Sequence, residues 1–282
     1  MLQRVWDQLS EAGMAENTII TAGKDQMELI LSQVPNARVA AEPAGRDTFG
    51  AVLLSCAYLH SQIGAAREDY VAVMPIDPYT ERAYFEAVKG LEVVMEHSGA
   101  DIGLLGAVPS YPATKYGYML PGKREEDYFW IQRFVEKPGE AQAEELLKKG
   151  ALWNCGVFCL RIGDVLDRAG RYGAPEDYKG LCEAFERLPR ISFDYEVLEK
   201  AERVAATEFR GFWKDLGTWD AMADQMSTHT VGRVVLDDAC RNTQVINELA
   251  MPLVAVGTRD LVIVAAQDGI LVADKNETGR VK

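Results

Sequence analysis

A chain of 282 residues with 48% hydrophobic content is long enough to bury one large core and to carry a smaller appendage. Its 43 Asp and Glu against 30 Lys and Arg give a net charge of -13, which argues against nucleic acid as a partner, because that binding needs a basic face. No apolar run of about eighteen residues predicts a membrane span and the first residues lack the apolar stretch of a secretion signal, so the expected location is the cytoplasm, with no membrane partner. The five cysteines, Cys56, Cys155, Cys159, Cys182 and Cys240, are scattered among apolar neighbours and read as reduced core residues. His60, His97 and His229 are dispersed, which leaves little support for a histidine metal cluster or a Ser-His-Asp triad.

Leu2, Val5, Trp6 and Leu9 recur at helical spacing and Gly13 ends the pattern, so the chain opens with an amphipathic helix. Next come a strand over 17–22, a helix over 26–34, a strand over 37–41, a helix over 48–63, a strand over 71–74, a helix over 82–97 and a strand over 102–108. This alternation predicts an α/β fold with a Rossmann-like, doubly wound, mainly parallel sheet. Open sheets of that kind bind ligands at strand carboxyl ends. An acidic protein that handled phosphates there would have to gather cations locally or recruit Mg²⁺, and Arg46, Lys115, Lys137, Lys200 and Lys214 are candidates for such a set.

Three joints in this half carry polar chemistry. In Glu42-Pro43-Ala44-Gly45-Arg46-Asp47-Thr48, Gly45 permits close backbone approach and Thr48 is placed to cap the next helix, although a plain capping turn would read the same way. Val73-Met74-Pro75-Ile76-Asp77-Pro78 ends an apolar strand on a carboxylate, which suits a Mg²⁺ ligand or an Asp-Pro turn. Tyr111-Pro112-Ala113-Thr114-Lys115-Tyr116-Gly117-Tyr118 sets a glycine among aromatic residues.

A strand over 128–135 is stopped by Pro138, leaving Glu136 and Lys137 at its exit. A helix over 139–149, closed by Gly150, leads into a strand over 152–161 that contains Trp153-Asn154-Cys155-Gly156-Val157-Phe158. Helices over 163–172, 175–187 and 191–200 and a strand over 204–209 follow. Then comes Phe212-Trp213-Lys214-Asp215-Leu216-Gly217-Thr218-Trp219. Beyond Gly232 the texture changes to short β-type runs at 233–236, 244–247, 253–256, 261–265 and 270–273. The expected division is a domain over 1–229 and a small β appendage over 230–282, with no sequence repeat.

The sequence F-V-E-K-P followed by W-N-x-G-x-F resembles the sugar-1-phosphate nucleotidyltransferases, most closely the mannose-1-phosphate guanylyltransferases. The resemblance implies the nucleotide-diphospho-sugar transferase fold. It implies sugar contacts from Glu136, Asn154 and Gly117, phosphate contacts from Lys137 and, through Ser192-Phe193-Asp194-Tyr195 and Glu199-Lys200, from Lys200. Glu42, Gly45, Arg46 and Thr48 correspond to a nucleotide-contacting segment, with Asp47, Phe49 and Gly50 where that family has Asn, Ala and Pro. Asp77 and Asp215 correspond to its Mg²⁺ carboxylates, with Pro78 in place of a histidine. The implied catalytic residues are Asp77, Lys137 and Asp215.

The implied partners are GTP and mannose 1-phosphate, the implied reaction yields GDP-mannose and pyrophosphate, and a homodimer through the appendage is one arrangement the family allows. The G-x-G-x-R loop that opens the family pattern is not found, nor is the strand before it. The sequence therefore suggests a shortened form with little or no turnover. Two other readings stay open: a nucleotidyltransferase of another base or sugar, and a non-catalytic subunit that binds a sugar nucleotide.

Overall fold

The apolar spacing of the first residues becomes α1 (Leu2–Glu11), which buries Val5 and Leu9, and the alternation expected after it follows element by element. The computed structural model, which describes residues 1–281, continues through β1 (Ile19–Gly23), α2 (Met27–Gln33), β2 (Arg38–Glu42) and α3 (Asp47–Tyr58). Then come β3 (Tyr70–Val73), β4 (Pro78–Thr80), α4 (Arg82–Ser98), β5 (Ile102–Ala107), β6 (Tyr118–Arg124) and β7 (Phe129–Val135). The chain goes on through α5 (Glu140–Lys148), β8 (Leu152–Arg161), α6 (Ile162–Ala169), α7 (Tyr178–Ala184), α8 (Phe193–Glu196), β9 (Val204–Phe209), β10 (Trp213–Asp215) and α9 (Trp219–Ala223). The expected β-type runs are realised after β11 (Thr230–Gly232) as β12 (Val234–Leu236), β13 (Gln244–Asn247), β14 (Leu253–Ala255), β15 (Leu261–Ala266) and β16 (Gly269–Asp274).

The contacts divide the chain into two units, one formed by Met1–Ile76 with Thr80–Trp213, the other by Asp77–Tyr79 with the residues from Lys214 onward. The first is an α/β layered unit. Its larger sheet has the order β3-β8-β5-β9-β7-β6, and β6 returns to pair with β8 as well; β1 and β2 form a separate parallel pair. Within the larger sheet β5 and β9 run parallel, whereas β8 is antiparallel to β3 and β5, and β7 is antiparallel to β6 and β9.

Strand alternation divides the core between the two faces of this sheet. Leu152, Phe158 and Leu160 of β8 pack with α3, α6 and α7, while Trp153, Cys155, Val157 and Cys159 of the same strand pack with α1, α4 and α5. On α4 the apolar residues Tyr84, Phe85, Val88, Leu91, Val94 and Met95 fall on one helical stripe and are buried.

One expected helix is broken. Over 191–200 only α8 is α-helical; Val197 leaves the helix at φ -120, ψ -56, and Leu198–Lys200 form a separate 3₁₀ turn. The break lets both Val197 and Leu198, adjacent in sequence, enter the core. Cys56, Cys155 and Cys159 are buried as expected, and Cys182 and Cys240 are half-buried; all five are free thiols.

In the second unit the strands stack as a parallel coil. Thr230 of β11 lies beside Val245 of β13, and Val245 beside Ile263 of β15; β12 pairs in parallel with β14, and β16 returns antiparallel along β15. Val245, Ala255 and Ile263 fill the space between the walls together with Val234, Leu236, Leu253 and Leu261. On the outer side Val262, Val264 and Leu271 pack against Trp219 and Ala223 of α9. The stacking was hidden from the sequence because successive coils share shape and inward apolar residues but no common motif.

Gly232 is the tightest point of this coil. Its φ is +82, and a Cβ there would lie 1.9 Å from the Asn247 carbonyl oxygen, so only glycine fits. Gly232→Ala is expected to destabilise the second unit by about 1–3 kcal/mol, the usual cost of a strained backbone site. Hydrogen exchange should show faster opening of the β13 and β15 amides and unchanged protection in β5 and β8.

Candidate functional site

The W-N-x-G-x-F motif is a bulge in β8. Leu104 and Gly106 of β5 pair with Phe158 and Asn154, so β8 spends four residues where β5 spends two. Gly156 makes this possible with φ +69, and its N–H donates to Asn154 Oδ1 at 3.0 Å. The Asn154 N–H donates to the Gly117 carbonyl at 2.8 Å, which joins the bulge to the turn entering β6.

Glu136, at the exit of β7, completes this group. A Cβ on Gly117 would lie 2.5 Å from Glu136 Oε2 and 3.6 Å from Asn154 Cβ. Gly117 therefore makes room for the Glu136 carboxylate. The three expected sugar residues, Gly117, Glu136 and Asn154, are thus in one place. Lys137, next in the chain, has φ +43, a conformation costly for a side chain of its length, and its Nζ is 3.4 Å from Glu136 Oε1. Both side chains are about two-thirds exposed.

The turn after β2 departs from expectation in one respect. Thr48 does not cap α3: the helix already begins at Asp47, and the Thr48 hydroxyl accepts the Phe193 N–H at 2.8 Å. Asp47 takes the left-handed conformation, φ 62, and its Oδ1 accepts the Thr48 N–H at 2.7 Å. Arg46 donates to the Glu186 carbonyl at 2.7 Å and to the Gly45 carbonyl, so it ties the turn to the stretch leading into α8. Glu42 sits at the carboxyl end of β2, paired with Gly23 of β1. Burial pushes its carboxyl above the ordinary glutamate range, and its Oε1 is buried without a hydrogen-bond partner.

Within the second unit Asp77 and Asp215, far apart in sequence, come together. Asp77 lies beyond the end of β3 and immediately before β4, the short strand that pairs with β10, whose last residue is Asp215. A Cβ on Gly217 would lie 2.8 Å from Asp215 Oδ1 and 3.4 Å from Asp77 Oδ2. The Leu216 N–H donates to the Asp77 carbonyl at 3.2 Å and the Gly217 N–H to Asp215 Oδ1 at 2.6 Å. Burial, then the negative charge of Asp215, pushes the Asp77 carboxyl above its usual range.

The donor set suits a hard divalent cation, since two repelling carboxylates are relieved by one and Mg²⁺ commonly takes one or two carboxylates with water and phosphate oxygens. No group of three or more His, Cys, Asp or Glu side chains is arranged for a metal among the described residues.

The candidate cations are held by individual partners. Lys214 lies 3.4 Å from Asp224 Oδ2, Lys115 stands over the Tyr116 ring at 5.5 Å, and Lys200 donates to Glu196 Oε2 at 2.6 Å. Sequence reasoning passed over Glu196; the signal available was its i,i+4 spacing from Lys200. It also passed over Asp194, whose carboxyl is pushed up by burial and then by the charges of Glu136, Glu199 and Asp47.

Residues 1–231 match the model of the family described as nucleotidyl transferase. The chain belongs to that family. It is 30% identical over 278 residues to the mannose-1-phosphate guanylyltransferase ManC of Salmonella typhimurium, covering 86% of this chain and 56% of that protein. It is 26% identical over 281 residues to mannose-1-phosphate guanylyltransferase 2 of Escherichia coli O157:H7, covering 88% and 57%. This nucleotidyl transferase therefore spans less than two thirds of the length of these curated relatives. A crystal structure from Thermus thermophilus, described as a mannose-1-phosphate geranyltransferase, superposes with a TM-score of 0.74 at 30% identity, over 99% of this chain and 86% of that one. Among the described residues no helix is long and apolar enough to cross a membrane.

The raised Asp77 carboxyl sets a direction for stability. The folded chain binds its proton more readily than the unfolded one, so this group's contribution declines as pH rises from the ordinary aspartate value through the raised one. At pH 7 without divalent cations, Asp77→Asn in this nucleotidyl transferase is expected to raise the unfolding midpoint. The gain should be roughly 2–4 °C, as about 1 kcal/mol gives in a domain of this size. Mg²⁺ should raise the wild-type midpoint and leave the variant's unchanged, as differential scanning calorimetry would show.

Proposed function

We propose that this chain carries the site of a mannose-1-phosphate guanylyltransferase, which joins GTP and mannose 1-phosphate into GDP-mannose and pyrophosphate. The contact between Asp77 and Asp215 carries the reading, since holding two like charges together in a half-buried place costs stability unless a cation is part of the function. In this reading Asp77 and Asp215 hold Mg²⁺, which when bound offsets charge on the phosphates.

Glu136, Asn154 and Gly117 bind the sugar. The carboxylate and the amide can accept and donate to vicinal hydroxyls, and their joint placement by the β8 bulge supports the assignment. Lys137 and Lys200 meet phosphates. A phosphate oxygen of mannose 1-phosphate forms the new bond to the α-phosphorus of GTP, and the bond from that phosphorus to the bridging oxygen of the β-phosphate breaks as pyrophosphate leaves. The nucleophile is already anionic, so no general base is required. Catalysis comes from alignment and from charge neutralisation in which Lys137 takes part.

Glu42, Gly45, Arg46 and Thr48 form the nucleotide side. Guanine presents two adjacent kinds of N–H donor on its pairing edge, and a carboxylate accepts both, whereas adenine, cytosine and uracil mix donors and acceptors there. The buried, unpartnered Oε1 of Glu42 supports guanine as the base. Arg46 and Thr48 act by shaping the turn, because the Arg46 guanidinium donates to carbonyls and the Thr48 hydroxyl accepts from Phe193. The cytoplasm is the proposed location, which the free thiols suit. A homodimer belongs to the reading as well, supported by Val235 and Val254, neighbours across β12 and β14 that are 57% and 62% exposed.

The test is pyrophosphate release from mannose 1-phosphate with GTP, dTTP, CTP or UTP in the presence of Mg²⁺. GTP is expected to react fastest. Glu42→Gln should lower kcat/KM for GTP roughly 10- to 100-fold, the worth of a hydrogen bond to a charged group, with a smaller effect on the other nucleotides. Faster reaction with another nucleotide overturns the reading.

A further inference from the structure

Glu196 is a buried carboxylate. It is 3% exposed at the end of the four-residue helix α8, and an ion so placed survives only with partners. Lys200 supplies the principal one, Nζ to Oε2 at 2.6 Å; the Tyr172 hydroxyl and the Arg168 guanidinium lie near the same carboxylate. The pair is asymmetric: the acid side chain is 4% exposed and the lysine side chain 53%. The anion is fixed in the core while the cation reaches solvent.

That asymmetry matters for a lysine asked to meet a phosphate. Its flexible stem would otherwise have to be ordered when the ligand arrives, at a cost of about 0.5–1.5 kcal/mol. The backbone beneath it is no help, because α8 stops at Glu196 and Lys200 ends a separate 3₁₀ turn. Glu196 orders the side chain in advance and occupies one of its three N–H donors, leaving two. The segment is also well located: the Phe193 N–H donates to Thr48 Oγ1, and Asp194 is within electrostatic reach of Glu136 and Asp47, so these residues adjoin both the turn after β2 and the Glu136 group.

We propose that Glu196 is a positioning residue for Lys200, holding its ammonium at one fixed point so that the two remaining donors meet a substrate phosphate. The proposal rests on the guanylyltransferase reading, and its test separates the two. Wild type, Glu196→Gln, Lys200→Met and the double variant are titrated calorimetrically with mannose 1-phosphate and, separately, with GTP. For at least one ligand each single variant is expected to bind roughly tenfold more weakly, and the double variant no more weakly than Lys200→Met, because the residues act as one unit.

Glu196→Asp, which keeps the charge but draws it back, serves as the second variant and should lie between wild type and Glu196→Gln. Without any ligand, the Lys200 ammonium protons should be slowed in solvent exchange in the wild type by NMR and fast in Glu196→Gln. Unchanged affinity in Glu196→Gln, losses that add in full, or ammonium exchange indifferent to Glu196 each overturn the proposal. Binding of neither ligand by the wild type overturns it by removing the function, an outcome distinct from binding that ignores Glu196.

Discussion

The first unit is arranged around a constraint in one strand: β8 must pair with β5 along its length and still make room for two extra residues between Phe158 and Asn154. A bulge of that size needs a backbone that turns back on itself, and Gly156 at φ +69 is the residue that allows it. The Asn154 side chain then has a defined task, accepting the Gly156 N–H, and its own N–H reaches the Gly117 carbonyl. Gly117 in turn leaves the space that the Glu136 carboxylate fills. The bulge and the turn entering β6 are fixed relative to one another by Gly156 and hydrogen bonds, and the exposed Glu136 carboxylate fills the space beside Gly117. In the function proposed above, this arrangement reduces the ordering that hydroxyl recognition requires.

The second unit shows the opposite use of free energy. At Gly156 the fold removes strain; at Asp77 and Asp215 it keeps two acids in contact, with the Asp77 carboxyl pushed up by burial and by its neighbour. A chain with net charge -13 has few cations to spare, and in this unit Lys214 is held by Asp224. In the function proposed above, Mg²⁺ held by the two carboxylates would relieve their repulsion.

Much of this was legible in the sequence, and the residues explain why. Strong period-3.6 and period-2 patterns, as in α4 and β8, declare themselves because burial on one face or on both dictates the residues. F-V-E-K-P was readable as a strand exit, whereas the bulge in W-N-x-G-x-F was not, because the segment reads as an uninterrupted strand. Short strands such as β4 and β10 were missed: three residues are too few to show a period, and their pairing is between distant segments. The break after α8 was missed because local propensity favours one helix and only the core's demand for both Val197 and Leu198 overrides it. Glu196 escaped notice for a related reason, since a glutamate four residues before a lysine usually marks a solvated helix face, and only the tertiary structure reveals that this one is buried.

Backbone strain gives an independent mark on the same places. Among the described residues four non-glycine residues take positive φ, and two of them, Asp47 and Lys137, stand in segments singled out from the sequence alone. Asp47 offsets part of its cost locally, because a short acidic side chain tolerates the left-handed region and its Oδ1 takes the next N–H. Lys137 has no such device: it is long, precedes a proline, and lies close to Glu136, an ion pair too exposed to contribute much stability. A glycine or asparagine at that position would be less strained. In the function proposed above, a lysine stands there because its charge meets a sugar phosphate beside the residues assigned to the sugar hydroxyls.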